Sequence, residues 1–191
     1  VPPPGLANPG AFGSDVEFAD FDGDGWRDVA VAWGARDWSA GAVFVYYGDG
    51  TTFAPRPSMP SLGPYESFAR AIAAVDLDRD GYPDLAVGVP PLGAGRGRVY
   101  VHAGGPAGLA AAATTSIEGA PDWTRFGFQV ADAGDTNGDG YRDLIVASTS
   151  DTVSVAFGGA AGVARTVGWT VSGPAGELFG TSVSGAGDVD G

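Results

Sequence analysis

Four carboxylates crowd into nine residues at Asp20-Phe21-Asp22-Gly23-Asp24-Gly25-Trp26-Arg27-Asp28, at positions 1, 3, 5 and 9 of the stretch. Such a loop repels itself unless a cation sits among its oxygens. Carboxylate oxygens suit a hard ion, and Gly25 permits the sharp turn that wraps the chain around it. The spacing points to calcium. The stretch recurs as Asp76-Leu77-Asp78-Arg79-Asp80-Gly81-Tyr82-Pro83-Asp84 and as Asp135-Thr136-Asn137-Gly138-Asp139-Gly140-Tyr141-Arg142-Asp143, and Asp188-Val189-Asp190-Gly191 opens a fourth copy. An EF-hand loop would carry Glu at position 12 between two helices. Position 12 here is Val31, Val87 and Val146, and the flanks read as strands. An ion-free Asp/Gly turn could explain one copy, but three copies in phase argue against it.

The phase organises the whole chain. The first loop Asp falls at 20, 76, 135 and 188, giving steps of 56, 59 and 53 residues. Eight or nine residues earlier stand Phe12-Gly13, Phe68-Ala69, Phe126-Gly127 and Phe179-Gly180. After each loop comes an apolar run, then a second β-rich run ending in Gly48, Gly104 or Gly158. Each unit closes on a short segment, Thr51 to Ala54, Thr114 to Glu118 or Thr166 to Ser172. β-Branched and aromatic residues, alternation and Gly/Pro punctuation make these strands. The second strands alternate large and small: Val29, Val31 and Trp33 against Ala30 and Ala32, and Leu85, Val87 and Val89 against Ala86 and Gly88. Both sets are apolar, so both sheet faces require cover.

A four-stranded unit of this length is a β-propeller blade, and no window shows the sustained 3.6-residue stripe of a helical solenoid. The expected organisation is all-β. Residues 1–10 form a lead-in or the end of a preceding blade. Residues 11–191 form one array, with blades at about 11–66, 67–124 and 125–177 and the first strand of a fourth at 178–191. Propellers carry about 4–8 blades. The expectation is therefore a portion of a longer ring, or a ring that a second copy of the chain completes.

Charge follows from the loops. The chain carries −13 formally, and 13 of its 23 acidic residues lie in the four loop stretches. Three divalent ions would bring −13 to −7. The acidity therefore reads as metal ligands, and it argues against nucleic acid and anionic membranes as partners. There is no Cys, hence no disulfide framework or thiolate site, and no apolar run long enough for a transmembrane helix. Loops of this kind fill best at about millimolar calcium, which points to an extracellular, cell-surface or periplasmic setting.

Together these markers resemble the FG-GAP repeats of the integrin alpha-subunit propeller and its bacterial relatives, from about Ala11 to the end. The resemblance implies a propeller, seven-bladed in the parent, with calcium in the loop between the first two strands of a blade. Two departures occur: Ala69 replaces the Gly of the second Phe-Gly, and only Val89-Pro90-Pro91 approximates the Gly-Ala-Pro element. The expected ligands are the side chains of Asp20, Asp22, Asp24 and Asp28 with the carbonyl of Trp26; of Asp76, Asp78, Asp80 and Asp84 with the carbonyl of Tyr82; and of Asp135, Asn137, Asp139 and Asp143 with the carbonyl of Tyr141. Asn137 is neutral, so the third site is expected to be the weakest. Asp188 and Asp190 would begin a fourth site, completed by sequence or a chain beyond this one.

Catalytic constellations are thin. His102, the one histidine, sits among strand alternates and reads as a structural imidazole rather than a base. No nucleophile elbow, phosphate loop or paired-Glu arrangement is present. Trp26, Tyr82 and Tyr141 are expected to pack against neighbouring blades. Trp38 and Trp123 near connections are the candidates for contact with a protein or glycan ligand. The resulting expectation is a non-catalytic, calcium-stabilised module for recognition or adhesion, with two alternatives: the scaffold of a secreted enzyme whose catalytic residues lie elsewhere, and a calcium-dependent lectin.

Overall fold

A computed structural model describes residues 12–34, 41–54, 62–65, 69–91, 96–120 and 125–187. Its strands are β1 (Phe12–Ala19), β2 (Asp28–Gly34), β3 (Gly41–Gly48), β4 (Phe53–Ala54), β5 (Leu62–Tyr65), β6 (Ala71–Val75), β7 (Asp84–Val89), β8 (Arg98–His102), β9 (Thr115–Glu118), β10 (Gln129–Gly134), β11 (Asp143–Ser148), β12 (Thr152–Ala156) and β13 (Trp169–Ser172). No helix occurs among the described residues. The strands make three antiparallel meanders, β1-β2-β3-β4 with β5 also on β3, then β6-β7-β8-β9, then β10-β11-β12-β13. These are successive blades of a β-propeller, with β1, β6 and β10 as the inner strands.

The alternation in the second strands decides how blades stack. Ala30 and Ala32 of β2 join Val43, Val45 and Tyr47 in one cluster with Leu85, Val87 and Val89 of β7. On its other face β7 offers Ala86, which clusters with Leu144 and Val146 of β11. Small residues thus face the following blade, and large residues of that blade fill the space they leave. This large-into-small seam brings sheets to packing distance without voids. A side-chain bond adds to it near the axis, where Asp15 Oδ2 accepts from the N–H of Ile72 at 2.9 Å.

Each seam also receives a hook from the connection after the third strand. Gly104-Gly105-Pro106-Ala107-Gly108-Leu109-Ala110 and Gly158-Gly159-Ala160-Ala161-Gly162-Val163-Ala164 share one pattern. Leu109 and Val163 are 1% and 4% exposed, each sunk into the seam with the preceding blade. Their counterpart in the first blade, Phe53, is 55% exposed. The first blade's outward face likewise leaves Val16 42% and Phe18 50% exposed.

Two features differ from the sequence expectation. The outer edge of the first blade is split: β4 pairs with Tyr47 and Gly48, and β5, beyond the Thr51 to Ala54 segment expected to close the unit, pairs with Gly41 and Val43. The fourth inner strand does not form among residues 178–187. That segment runs beside β10, where a Cβ on Gly185 would lie 2.5 Å from the carbonyl of Asp132, but no described strand offers it a ladder partner. A lone strand leaves its backbone groups unpaired and does not persist as one. Phe68, Trp38, Trp123, Asp188, Asp190 and the lead-in at 1–10 lie outside the described residues.

Candidate metal centres

Each acidic loop joins the inner strand of a blade to the second strand, and its shape repeats. Positions 4 and 6 take left-handed backbone: Gly23 and Gly25 at φ 71° and 92°, Arg79 and Gly81 at 61° and 92°, Gly138 and Gly140 at 77° and 90°. Arg79 holds the conformation without the freedom of glycine, which is strained for a side chain of that size. With the chain coiled this way, the first carboxylate accepts backbone bonds across the loop. Asp20 takes the N–H groups of Asp24 and Gly25, at 3.1 and 2.9 Å. Asp76 takes those of Asp80 and Gly81, both at 3.2 Å. Asp135 takes those of Gly138, Asp139 and Gly140, at 2.8, 3.1 and 2.8 Å.

In the first loop Asp20, Asp22 and Asp28 bring one oxygen each to within 4.8 Å of one another, and in the second Asp76, Asp78 and Asp80 do the same. Three convergent carboxylates suit a hard divalent cation, and the donor set of both loops fits calcium. Asp24 and Asp84 stand outside these two groups. The third loop brings together no three carboxylates. There the amide of Asn137 donates to Asp139 Oδ2 at 2.9 Å, so the loop closes partly on its own hydrogen bonds.

The last carboxylate of each loop has a further role that the spacing does not reveal. Asp28 is fully buried, with Oδ2 accepting from Phe21 N–H at 2.9 Å and Oδ1 from Gly48 N–H at 3.0 Å. Asp84 accepts from Leu77 and Gly104 at 3.2 and 3.0 Å. Asp143 accepts from Thr136 and Gly158 at 2.8 and 3.0 Å, and from the Thr136 hydroxyl. Each therefore latches the start of its loop to the end of the third strand. The glycine at that strand end is obligatory on steric grounds. A Cβ on Gly48, Gly104 or Gly158 would lie 2.3, 2.4 or 2.1 Å from the carbonyl of Arg27, Pro83 or Arg142. The sequence signal was present in the recurrent strand-ending glycines, but their partner was not.

Burial raises carboxyl groups in the first two loops. Burial pushes the Asp84 carboxyl up to about 6, with Asp78 and Asp80 adding to the rise, and the bonds from Gly104 and Leu77 only partly offset it. Asp28 is raised by burial in the same way, with Asp20 and Asp24 contributing. Asp78 is raised by burial and then by Asp80. Asp135 moves the other way, because the N–H of Gly140 and its neighbours stabilise the ionised form. A divalent ion reverses the first three shifts by placing positive charge among the oxygens.

The aromatics after each loop glycine part company. Tyr82 lies over the first loop, so that a Cβ on Gly23 would be 2.5 Å from its ring. Trp26 covers Gly50 of its own blade and is 53% exposed among the described residues. His102 is 2% exposed, with Nδ1 2.8 Å from the carbonyl of Ala110, and burial lowers its pKa. It is a satisfied core imidazole.

The family model that matches is an FG-GAP-like repeat, over residues 20–87. Among curated proteins, the chain is 33% identical over 153 residues to Integrin alpha-3 of Cricetulus griseus, covering 74% of this chain and 14% of that protein. It is 34% identical over 160 residues to Integrin alpha-6 of Gallus gallus, covering 79% and 14%. A different relative, Phosphatidylinositol-glycan-specific phospholipase D of Rattus norvegicus, is 31% identical over 150 residues, covering 68% and 17%. The chain thus spans about a seventh of the length of the integrin relatives it matches.

Proposed function

Because this chain belongs to the FG-GAP-repeat family, we propose that it is a calcium-braced β-propeller module of an extracellular or cell-surface adhesion protein, engaging a protein ligand through its loops without catalysis. The observation that carries the calcium part is the convergence of Asp20, Asp22 and Asp28, repeated by Asp76, Asp78 and Asp80, at loops that join the first two strands of successive blades. The adhesion part rests on similarity to integrin alpha chains across three quarters of the sequence. No helix among the described residues is long and apolar enough to cross a membrane.

In this reading Asp20, Asp22, Asp24 and Asp28 hold the first ion with the Trp26 carbonyl. Asp76, Asp78, Asp80 and Asp84 hold the second with the Tyr82 carbonyl. Asp135, Asn137, Asp139 and Asp143 hold the third with the Tyr141 carbonyl, and Asp188 and Asp190 begin a fourth. Bound calcium supplies charge neutralisation and loop rigidity, and the ligand meets a surface preset by those loops. The exposed faces at Val16, Phe18 and Trp169 are the sides on which further blades or a second copy would stack. Equilibrium dialysis with calcium, followed by ligand capture in calcium and in chelator, tests both parts. Calcium uptake with calcium-dependent capture of an extracellular protein supports the reading; no uptake defeats it. A second reading, the scaffold of a secreted enzyme, has one observation in its favour, the similarity to the phospholipase.

A further inference from the structure

A continuous line of backbone and carboxylate bonds links the three loops across both seams. Phe21 stands between two loop carboxylates, Asp20 and Asp22. Its N–H goes to Asp28 of its own blade, and its carbonyl accepts the N–H of Gly105 in the second blade at 3.1 Å. The adjoining Gly104 N–H goes to Asp84, which also takes Leu77 N–H in the second loop. The Leu77 carbonyl then accepts Gly159 N–H of the third blade at 3.0 Å, and the adjoining Gly158 N–H goes to Asp143. The side chains at the crossing points, Phe21 and Leu77, are fully buried in the seams.

We infer that the loops are coupled in series: a cation held by one loop fixes that loop's seam with the following blade. The reasoning is geometric. A peptide flanked by two ligands of one ion cannot rotate while the ion is held, so the carbonyl of Phe21 or Leu77 stays aimed at its partner glycine. When the carboxylates are unpaired their repulsion opens the loop, the carbonyl swings, and the bond to the next blade is lost. The hook carrying Leu109 or Val163 begins at that same glycine, so it loosens with the bond. Calcium in this arrangement acts on the junction downstream of its own blade more than on the strands that carry it.

This inference rests on the calcium reading, and the test separates the two. Hydrogen exchange of the full chain is followed by mass spectrometry with calcium and with chelator, in wild type and two variants. Asp22→Asn with Asp24→Asn removes charge from the first loop. Asp78→Asn with Asp80→Asn does so in the second. Asn keeps the Oδ1 acceptor that each of these side chains offers to the backbone. In wild type, calcium slows exchange at the Gly105 and Gly159 segments by about tenfold, the scale of one ordinary net hydrogen bond. The first variant loses the slowing at Gly105 and keeps it at Gly159. The second loses it at Gly159 and keeps it at Gly105. Slowing that survives at both segments in both variants overturns the coupling and leaves calcium binding intact, and so does uniform loss at both. Absence of calcium uptake by wild type overturns the calcium reading itself.

Discussion

The ring of Tyr82, at the seventh position of the second acidic loop, lies against Gly23, at the fourth position of the first. A Cβ at Gly23 would come within 2.5 Å of Tyr82 Cε1. The equivalent glycine of the third loop, Gly138, has open space around it and nearly the same φ, 77° against 71°. Gly23→Ala and Gly138→Ala therefore share the backbone strain of roughly 1–2 kcal/mol. Only Gly23→Ala adds an overpacking cost of about 1–3 kcal/mol. Denaturant melts of the two variants measure the difference. Equal losses would show that the loops do not pack on each other.

Asp28 and Asp24 differ in what they hold without any ion. Asp28→Ala leaves the N–H groups of Phe21 and Gly48 buried without an acceptor, at about 1–3 kcal/mol each. Asp24 is exposed, and Asp24→Ala should change stability by no more than about 0.5 kcal/mol in chelator. Urea melts in chelator decide between a latch and a pure ligand. If Asp28→Ala is as mild as Asp24→Ala, the latch assignment fails.

Asp151 repeats the latch idea at the far end of the chain. It sits at φ 55°, 7% exposed, and accepts from Gly176 and Phe179 N–H at 2.6 and 2.9 Å. Asp151→Ala removes both bonds and keeps the strained φ. It should cost about 2–4 kcal/mol, as two lost acceptors for partly buried donors, and expose the 173–180 segment to protease. A variant as stable and as resistant as wild type contradicts this.

Burial lowers the His102 pKa, so the folded chain binds this proton less readily than the unfolded chain. Its contribution to stability is full above the unfolded value of about 6.5 and is lost as pH falls toward the folded value. Asp84 in the calcium-free chain has the opposite sign: its carboxyl is raised to about 6, so folding favours the protonated form as pH falls through that value. Comparing wild type with His102→Gln cancels the Asp84 effect. Wild type should lose stability relative to the variant below about pH 6.5. Parallel pH profiles would remove the assignment.

Much of this was legible in residue order. The loop spacing located the acidic sites, and the large-and-small alternation of Val29 to Trp33 and Leu85 to Val89 forecast sheets covered on both faces. What escaped was long-range and backbone-borne. Nothing in Gly105 announces a bond to Phe21, and Asp28 reads as a ligand whether or not it latches Gly48. Tyr82 lies in a seam over Gly23 of the preceding blade, whereas Trp26 lies over Gly50 of its own blade. The first blade's outer edge extends past the Thr51 to Ala54 segment, because the backbone of Leu62–Tyr65, despite Pro64, still pairs with one end of β3.

The most direct measurement is thermal unfolding of the full chain in millimolar calcium and in chelator, with bound calcium counted by equilibrium dialysis. Ligands that bind only the folded state at about 100 times their Kd stabilise by ~2.7 kcal/mol per site. The account predicts saturable calcium, first in the loops of Asp20 and Asp76 and most weakly in that of Asp135, with a Tm that rises as they fill. No bound calcium and coincident melts in the two buffers would contradict it.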